Sequence, residues 1–182
     1  MTFEIDLTRI NQIIAFLNSL GIKSKRFSEV IRTQNILLIQ VFNQALTHSS
    51  DDKKINYEKL EFFGDAVLRL AASNFIEKKY PQMSVGERSE LRAQIVSDEW
   101  LTKLGEKIDI EKLIIKGPKA LGDENSKNTI IGEATEALIG AVYKCFNSIQ
   151  EVNLWLDDIW EEDSEIFLKA PYKFKSKTVL QE

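Results

Sequence analysis

Apolar residues recur every three or four positions along most of this chain, a spacing that predicts amphipathic helices. The first stripe, which Gly21 would end, predicts a helix over about residues 7–20 and consists of Ile10, Ile13, Ile14, Leu17 and Leu20. A second stripe, at residues 37–46, predicts a helix that ends near residues 47–50. Residues 22–33 between them are basic and polar, and we expect them to form a connection without regular structure.

The middle of the chain contains two more regions with helical spacing. A helix is predicted over residues 57–79, and Pro81 follows it as a stop. Ser84 and Glu87 have the spacing of a capping box, in which the two residues satisfy each other's backbone donors. We therefore expect a helix that starts after Ser84 and continues to about residue 104.

The last third of the chain continues the helical pattern. Residues 117–127 are predicted to be a loop, whereas residues 129–146 and 149–168 predict two further helices. Alternating apolar runs joined by Asn-Gly or Asp-Gly turns are absent from the sequence, so we expect an all-α fold around one core. We expect this domain to cover residues 1–168 and the lysine-rich residues 169–182 to be a basic linker.

Composition narrows the class of protein. A length of 182 residues suits one domain, and the net charge of -4 argues against a protein that coats nucleic acid by charge alone. Local basic patches are still compatible with that charge. Cys145 is the single cysteine, which excludes an intrachain disulfide and favours a reducing, cytoplasmic setting. The sequence has no apolar run long enough to cross a membrane and no secretory signal pattern at its start.

Five acidic residues stand out because they lie in otherwise apolar helices. Glu58, Glu61 and Asp65 are spaced i, i+3 and i+7, so they share one stripe of the predicted helix. Glu133 and Glu136 lie three positions apart in a second apolar run that contains no basic residue. Carboxylates on two helices predict an all-oxygen site, which favours Mg²⁺ or Mn²⁺ over Zn²⁺.

Other interpretations of these residues stay open. Carboxylates at such spacing are often a solvated helix face, and spacing alone leaves that interpretation about even with a cation site. A di-iron site is disfavoured because it requires Glu-x-x-His pairs, and the chain has the single histidine His48. His48 follows Ala-Leu-Thr at a predicted helix end, where a capping or hydrogen-bonding role is more typical than catalysis.

At these acidic residues the chain resembles the ribonuclease III family. Residues 56–68, Asn-Tyr-Glu-Lys-Leu-Glu-Phe-Phe-Gly-Asp-Ala-Val-Leu, are similar to the family's signature segment almost position by position. The resemblance covers most of residues 7–165 and includes, in the family's order, residues 45–49, 91–97, 116–117 and 130–143. It implies the helical fold of the family's endonuclease domain.

The resemblance also implies an activity. Family members are homodimeric, Mg²⁺-dependent endoribonucleases, with Mn²⁺ as a substitute, that act on double-stranded RNA in processing such as rRNA maturation. Their products carry 5′-phosphates and 3′-hydroxyls. Carried over by position, the metal-holding and catalytic residues are Glu61, Asp65, Glu133 and Glu136, with Glu58 as an accessory acid. Phe62 matches an aromatic residue that family members insert into the partner subunit, although plain core packing is an equally good interpretation.

Two positions depart from the family pattern. Glu133 stands where the family usually has Asp, so its carboxylate is one methylene further from the backbone. Val85 stands where family members often have Glu. These departures motivate an alternative function, a catalytically weak or inactive RNA-binding scaffold. A third interpretation is a helical assembly domain with solvated carboxylates.

Basic residues scattered along the chain are candidates for phosphate contacts, namely Lys116, Lys127 and Arg92, together with Lys119 and Arg88. Residues 175–182 are similar to the linker and first turn of the double-stranded RNA-binding domain that many relatives carry. We therefore expect the natural chain to continue, with a mini-type enzyme that ends near residue 182 as the alternative.

Overall fold

The structure, a computed structural model, describes residues 5–51, 55–118, 120–121 and 125–169. These residues form eight α-helices and a 3-10 helix, η1: α1 (Leu7–Ser19), α2 (Lys25–Thr33), α3 (Ile36–Ala45), α4 (Glu58–Lys79), α5 (Val85–Ile95), α6 (Asp98–Lys107), η1 (Ile110–Leu113), α7 (Lys127–Phe146) and α8 (Ile149–Lys169). Within the described ranges there is no strand, only an isolated bridge between Thr47 and Ile115. The all-α prediction is confirmed.

Five helices lie where the apolar spacing predicts them. The bounds of α1, α4, α7 and α8 fall within two residues of the predicted ones, and α3 ends at Ala45, shortly before its predicted end. Gly21, just beyond α1, has a φ of 67°, the left-handed conformation that glycine adopts without strain. The described residues between Gly117 and Ser126 lie outside helices and strands, as the loop prediction requires.

The prediction that residues 22–33 form a connection is wrong, because they contain α2. The side chain of Ser24 caps this helix by accepting a hydrogen bond from the N–H of Phe27 at 3.2 Å. Phe27 and Val30, spaced i and i+3, are the buried anchors of α2. The other residues of the helix are mostly charged or polar, so the apolar stripe is too short to stand out in the sequence.

The single helix predicted from Ser84 to about residue 104 is also wrong, since it is two helices, α5 and α6. Ser97 accepts a hydrogen bond from the N–H of Trp100 at 3.2 Å and so starts α6. Apolar residues on both sides of this break face the same core, which is why the stripe looks continuous. The capping box of Ser84 and Glu87 at the start of α5 is confirmed.

Helix α7 is the centre of the domain, and its largest contact is with α4. Two glycines allow these helices to touch backbone to backbone. A methyl group on Gly64 of α4 would overlap the carbonyl group of Glu136. A methyl group on Gly140 of α7 would overlap the carbonyl oxygen of Leu60. This close crossing brings the acidic turns of both helices side by side.

The last helix extends further than predicted, since α8 includes Lys169. The remaining residues of the predicted basic linker, 170–182, lie outside the described residues, so the proposed domain boundary stays a prediction. None of the helices in the described ranges has the length and apolar character needed to cross a membrane.

Candidate active site

A pocket of about 630 Å³ opens between α4, α6 and α7, beside the glycine crossing. Three of the four residues predicted to hold a metal line it, namely Glu61 from α4 and Glu133 and Glu136 from α7. Asp65 lies one helical turn after Glu61, next to this group. The acidic residues that the sequence places about 70 positions apart are therefore neighbours in the fold.

The pKa values of two glutamates show how crowded the site is. The pKa of Glu136 is raised to about 7, first by burial and then by the negative charges of Asp65, Glu61 and Asp98. Burial, followed by the charges of Glu133 and Glu58, also raises the pKa of Glu61. Like charges held together disfavour ionisation, and a bound cation would relieve this repulsion.

Asp65 differs from the other three carboxylates because it has a cationic partner. The guanidinium of Arg69, one turn further along α4, donates a hydrogen bond from Nε to Asp65 Oδ1 at 2.6 Å. Both side chains are about half exposed. Asp65 is therefore held at the edge of the acidic group rather than among the residues that line the pocket.

Glu133 is bound by a residue that sequence reasoning missed. The hydroxyl of Tyr57, the residue just before α4, donates a hydrogen bond to Glu133 Oε2. Burial and then this hydrogen bond raise the pKa of Tyr57 well above its usual range, so the hydroxyl stays protonated. No sequence signal marks this pair, because the two residues meet only through the crossing of α4 and α7.

Asp98 is a second acidic residue that sequence reasoning missed. It is the first residue of α6, directly after the cap residue Ser97, and it lines the same pocket. Acidic residues are common in the first turn of a helix because they complement the helix dipole. That general preference gives no indication that this one faces Glu136.

Glu58, the predicted accessory acid, lies beside the acidic group but outside the pocket. It is exposed at the start of α4, and its charge contributes to the raised pKa of Glu61. The N–H of Glu58 donates to Asn56 Oδ1 at 3.1 Å. Its side chain therefore faces solvent beside the acidic group without lining the pocket.

His48 is held by hydrogen bonds, as the sequence interpretation favours. The N–H of Ser50 donates to His48 Nδ1 at 3.0 Å, and the Ser50 hydroxyl lies 2.6 Å from the same nitrogen. Burial is the main cause that lowers the pKa of His48. The imidazole packs edge-on against the ring of Tyr57, with 5.3 Å between centroids.

The acidic group supplies candidate metal ligands, but their side chains do not form a complete metal site. Within the part of the chain that the structure describes, no three His, Cys, Asp or Glu side chains are arranged to hold a metal ion. Every candidate donor is nevertheless a carboxylate oxygen, the ligand that Mg²⁺ and Mn²⁺ prefer. The chemistry of the donors and their mutual repulsion both fit such a cation.

The predicted RNA contacts lie in two places. Lys116 and Lys127 both pair with Glu111, at 3.3 Å and 2.9 Å, close to the start of α7. Arg92 is exposed on α5 and donates a hydrogen bond to the hydroxyl of Ser73 at 3.0 Å. The structure thus brings the two lysines together at Glu111, whereas Arg92 contacts α4 at Ser73.

The core-packing interpretation of Phe62 is wrong, because 85% of this side chain is exposed. Its neighbour Phe63 is the one that packs inward, against Tyr143 with 5.4 Å between ring centroids. A large aromatic side chain thus projects into solvent from the helix turn that carries Glu61.

Comparison with known proteins gives consistent matches. The model of a family described as Ribonuclease-III-like matches residues 39–153. A Ribonuclease 3 of Prochlorococcus marinus is 46% identical over 96% of this chain and 70% of its own length. A protein named Ribonuclease 3 2 of Synechocystis is 41% identical over 63% of this chain, and the match spans 47% of that relative.

A solved structure agrees with the fold. The nuclease domain of ribonuclease III from Campylobacter jejuni matches 87% of this chain and 95% of its own, with a TM-score of 0.59 and 24% identity. The family match covers more than half of the chain, and it includes both acidic helices. The chain therefore belongs to the ribonuclease III family, whose members are double-stranded RNA-specific endoribonucleases.

Proposed function

We propose that this chain is a Mg²⁺-dependent endoribonuclease that cleaves double-stranded RNA. The reaction is phosphodiester hydrolysis to 5′-phosphate and 3′-hydroxyl ends, in RNA processing such as rRNA maturation. The observation that carries the proposal is the meeting of Glu61, Glu133 and Glu136 at one pocket between α4 and α7, with Asp65 at its edge. Membership of the family supports the same reaction.

Glu61, Asp65, Glu133 and Glu136 would hold the cation. When bound, Mg²⁺, or Mn²⁺ in its place, supplies activation of a water molecule and stabilisation of charge on the phosphate and leaving oxygen. The protein's own contribution is to hold four carboxylates on two helices, α4 and α7, whose backbones are in contact and so cannot move closer together. Arg69 adds a positive charge beside Asp65, which limits the repulsion within the group.

Lys116, Lys127 and Arg92 are proposed to contact the phosphate backbone of the RNA. Such contacts position the duplex without specifying its sequence. The carboxylate of Glu111 holds the ammonium groups of Lys116 and Lys127 close together, at 3.3 Å and 2.9 Å. Replacing either lysine should weaken duplex binding more at low salt than at high salt, because the variant neutralises fewer phosphates and its affinity falls less steeply with salt concentration.

We further propose that the protein acts as a homodimer through the exposed face of α4. The Campylobacter nuclease domain is described as having a region involved in dimer formation. Phe62 is the most exposed large apolar residue among those described, and it adjoins Glu61. Burying an aromatic side chain of this size in a partner would stabilise such a dimer and place two acidic pockets in one particle.

The direct test is cleavage of a long RNA duplex with Mg²⁺ and then with Mn²⁺. We expect cleavage with both metals, and we expect the Glu136→Gln variant to bind the duplex but not cut it. Glu77→Gln is the matched control, because Glu77 is an exposed residue near the other end of α4. Intact duplex binding without cleavage by the wild-type protein in either metal would refute the enzymatic proposal.

The alternative is a catalytically weak or inactive RNA-binding scaffold. Glu133, which replaces the family's usual Asp, and Val85, which is exposed at the first position of α5, favour this alternative. Glu87 does not replace the missing carboxylate, because its own carboxylate accepts hydrogen bonds from Ser84. If Glu133→Asp and Val85→Glu restore cleavage to a wild-type protein that lacks it, the scaffold is the correct function.

A further inference from the structure

Tyr57 connects the two helices that carry the proposed metal ligands. Its side chain is 1% exposed, and its hydroxyl donates a hydrogen bond to Glu133 Oε2 on α7. Its backbone carbonyl accepts hydrogen bonds from the N–H groups of Leu60 at 2.7 Å and Glu61 at 2.9 Å, which form the first turn of α4. One residue thus contacts the backbone of one proposed ligand and the carboxylate of another.

The ring of Tyr57 is itself held in place by the segment that follows α3. The N–H of Tyr57 donates to the carbonyl of Thr47 at 2.9 Å, and the ring of His48 packs against it at an interplanar angle of 77°. Ser50 holds the His48 ring, and the N–H of Gly117 donates to Ser50 Oγ at 2.9 Å. The hydroxyl therefore approaches its acceptor from a fixed direction.

Glu133 is the proposed ligand that most needs such support. Its side chain has one more rotatable bond than Asp, and fixing a long side chain costs conformational entropy. It lies half-buried in a pocket with Glu61, whose negative charge repels it. Without a partner, the carboxylate would gain both entropy and solvation by turning out of the pocket.

We propose that Tyr57 is a positioning residue that acts through Glu133, and this inference rests on the proposed metal-dependent function. Its hydroxyl donates a hydrogen bond to one carboxylate oxygen of Glu133, Oε2, and so leaves the other, Oε1, for the cation. Outer partners of metal ligands typically affect metal affinity by roughly 10–100-fold. The ring of Tyr57 packs in the core, whereas its hydroxyl binds Glu133. Removing the hydroxyl alone therefore separates the two roles.

The test is Mn²⁺ binding to the full chain, measured by titration calorimetry, for the wild type and Tyr57→Phe. We expect the variant to bind Mn²⁺ roughly 10-fold more weakly. Tyr80→Phe is the matched control, because it also removes a hydrogen-bonded hydroxyl, one that lies 2.8 Å from Ser164 Oγ and far from the pocket. Unchanged Mn²⁺ affinity in Tyr57→Phe, or an equal loss in Tyr80→Phe, would overturn the inference.

A second pair of variants tests whether the hydroxyl acts through Glu133. Glu133→Asp shortens the side chain and withdraws the carboxylate from Tyr57, so adding Tyr57→Phe to it should leave Mn²⁺ affinity unchanged. A further 10-fold loss in the double variant would overturn the inference, because the hydroxyl would then act elsewhere. A wild-type protein that neither binds Mn²⁺ nor cuts duplex RNA would refute the proposed function itself, a result distinct from loss of the Tyr57 effect alone.

Discussion

Glu136→Gln should stabilise the metal-free protein at neutral and higher pH, although it should abolish cleavage. The carboxylate of Glu136 is partly buried and faces the charges of Asp65, Glu61 and Asp98, which together raise its pKa from 4.5 to about 7. Glutamine has nearly the same shape and no charge. The substitution therefore removes the repulsion while it keeps the packing of α7 against α4.

The size of the effect follows from the pKa. A rise from 4.5 to about 7 corresponds to at most about 3.5 kcal/mol, at about 1.4 kcal/mol for each tenfold change in proton affinity. Part of the side chain is exposed, and solvent screening reduces the gain to about 1 kcal/mol. For a domain of this size, such a gain raises Tm by about 2–4 °C.

The pH dependence has a definite sign. The folded state raises the pKa of Glu136, so its favourable contribution is full below about 4.5 and is lost as pH rises through about 7. Glutamine does not titrate. The variant and the wild type should therefore have similar free energies of unfolding near pH 4.5, diverge as pH rises to about 7, and keep a constant difference above that.

The assay is urea unfolding in the presence of a chelator at about pH 5 and about pH 8, the two ends of that transition. Glu77→Gln, an exposed substitution on α4, should change the free energy of unfolding by less than about 0.5 kcal/mol at both pH values. A Glu136→Gln variant that is no more stable than the wild type at the higher pH would refute the reasoning. Excess Mg²⁺ should reverse the order, since a cation that binds the folded wild type stabilises it.

Three other substitutions test the fold and the dimer. Gly140→Ala should lower the free energy of unfolding by about 2 kcal/mol in urea titrations, because the added methyl group overlaps the backbone of α4. Gly86→Ala is the control and should not lower it, because a methyl group there meets nothing closer than 4.0 Å. Ser97→Ala should cost about 1 kcal/mol in the same measurement, because it removes the cap of α6. Phe62→Ala should shift sedimentation velocity from dimer to monomer without lowering the stability of the monomer, and an unchanged dimer would contradict the proposed interface.

The sequence was sufficient for helices with a long apolar stripe and insufficient where the stripe was short or interrupted. Helices α1, α3, α4, α7 and α8 each place several apolar residues on one face, and their bounds could be predicted closely. Helix α2 depends on Phe27, Val30 and a serine cap, a pattern that also occurs in loops. The break at Ser97 was hidden because the helices on both sides of it bury residues in the same core.

Some residues of the candidate site could be predicted from the sequence and others could not. Glu61, Asp65, Glu133 and Glu136 could be selected from their spacing in apolar helices and from the family's signature. Tyr57 and Asp98 could not, because each reaches the acidic group only through the angle at which its helix crosses α7. Local sequence includes the glycines that permit this close contact, but it does not specify the angle at which the helices cross.

The backbone contact at Gly64 and Gly140 has a consequence for how this protein can change. At most helix interfaces, side chains set the distance between the helices, and replacing them changes that distance by small amounts. At this contact no side chain sets the distance, so the separation of the two acidic turns is set by peptide atoms and does not vary with substitution of the surrounding core. Within the proposed cation site, the length and orientation of the carboxylates themselves, as at Glu133, are therefore what substitution can change.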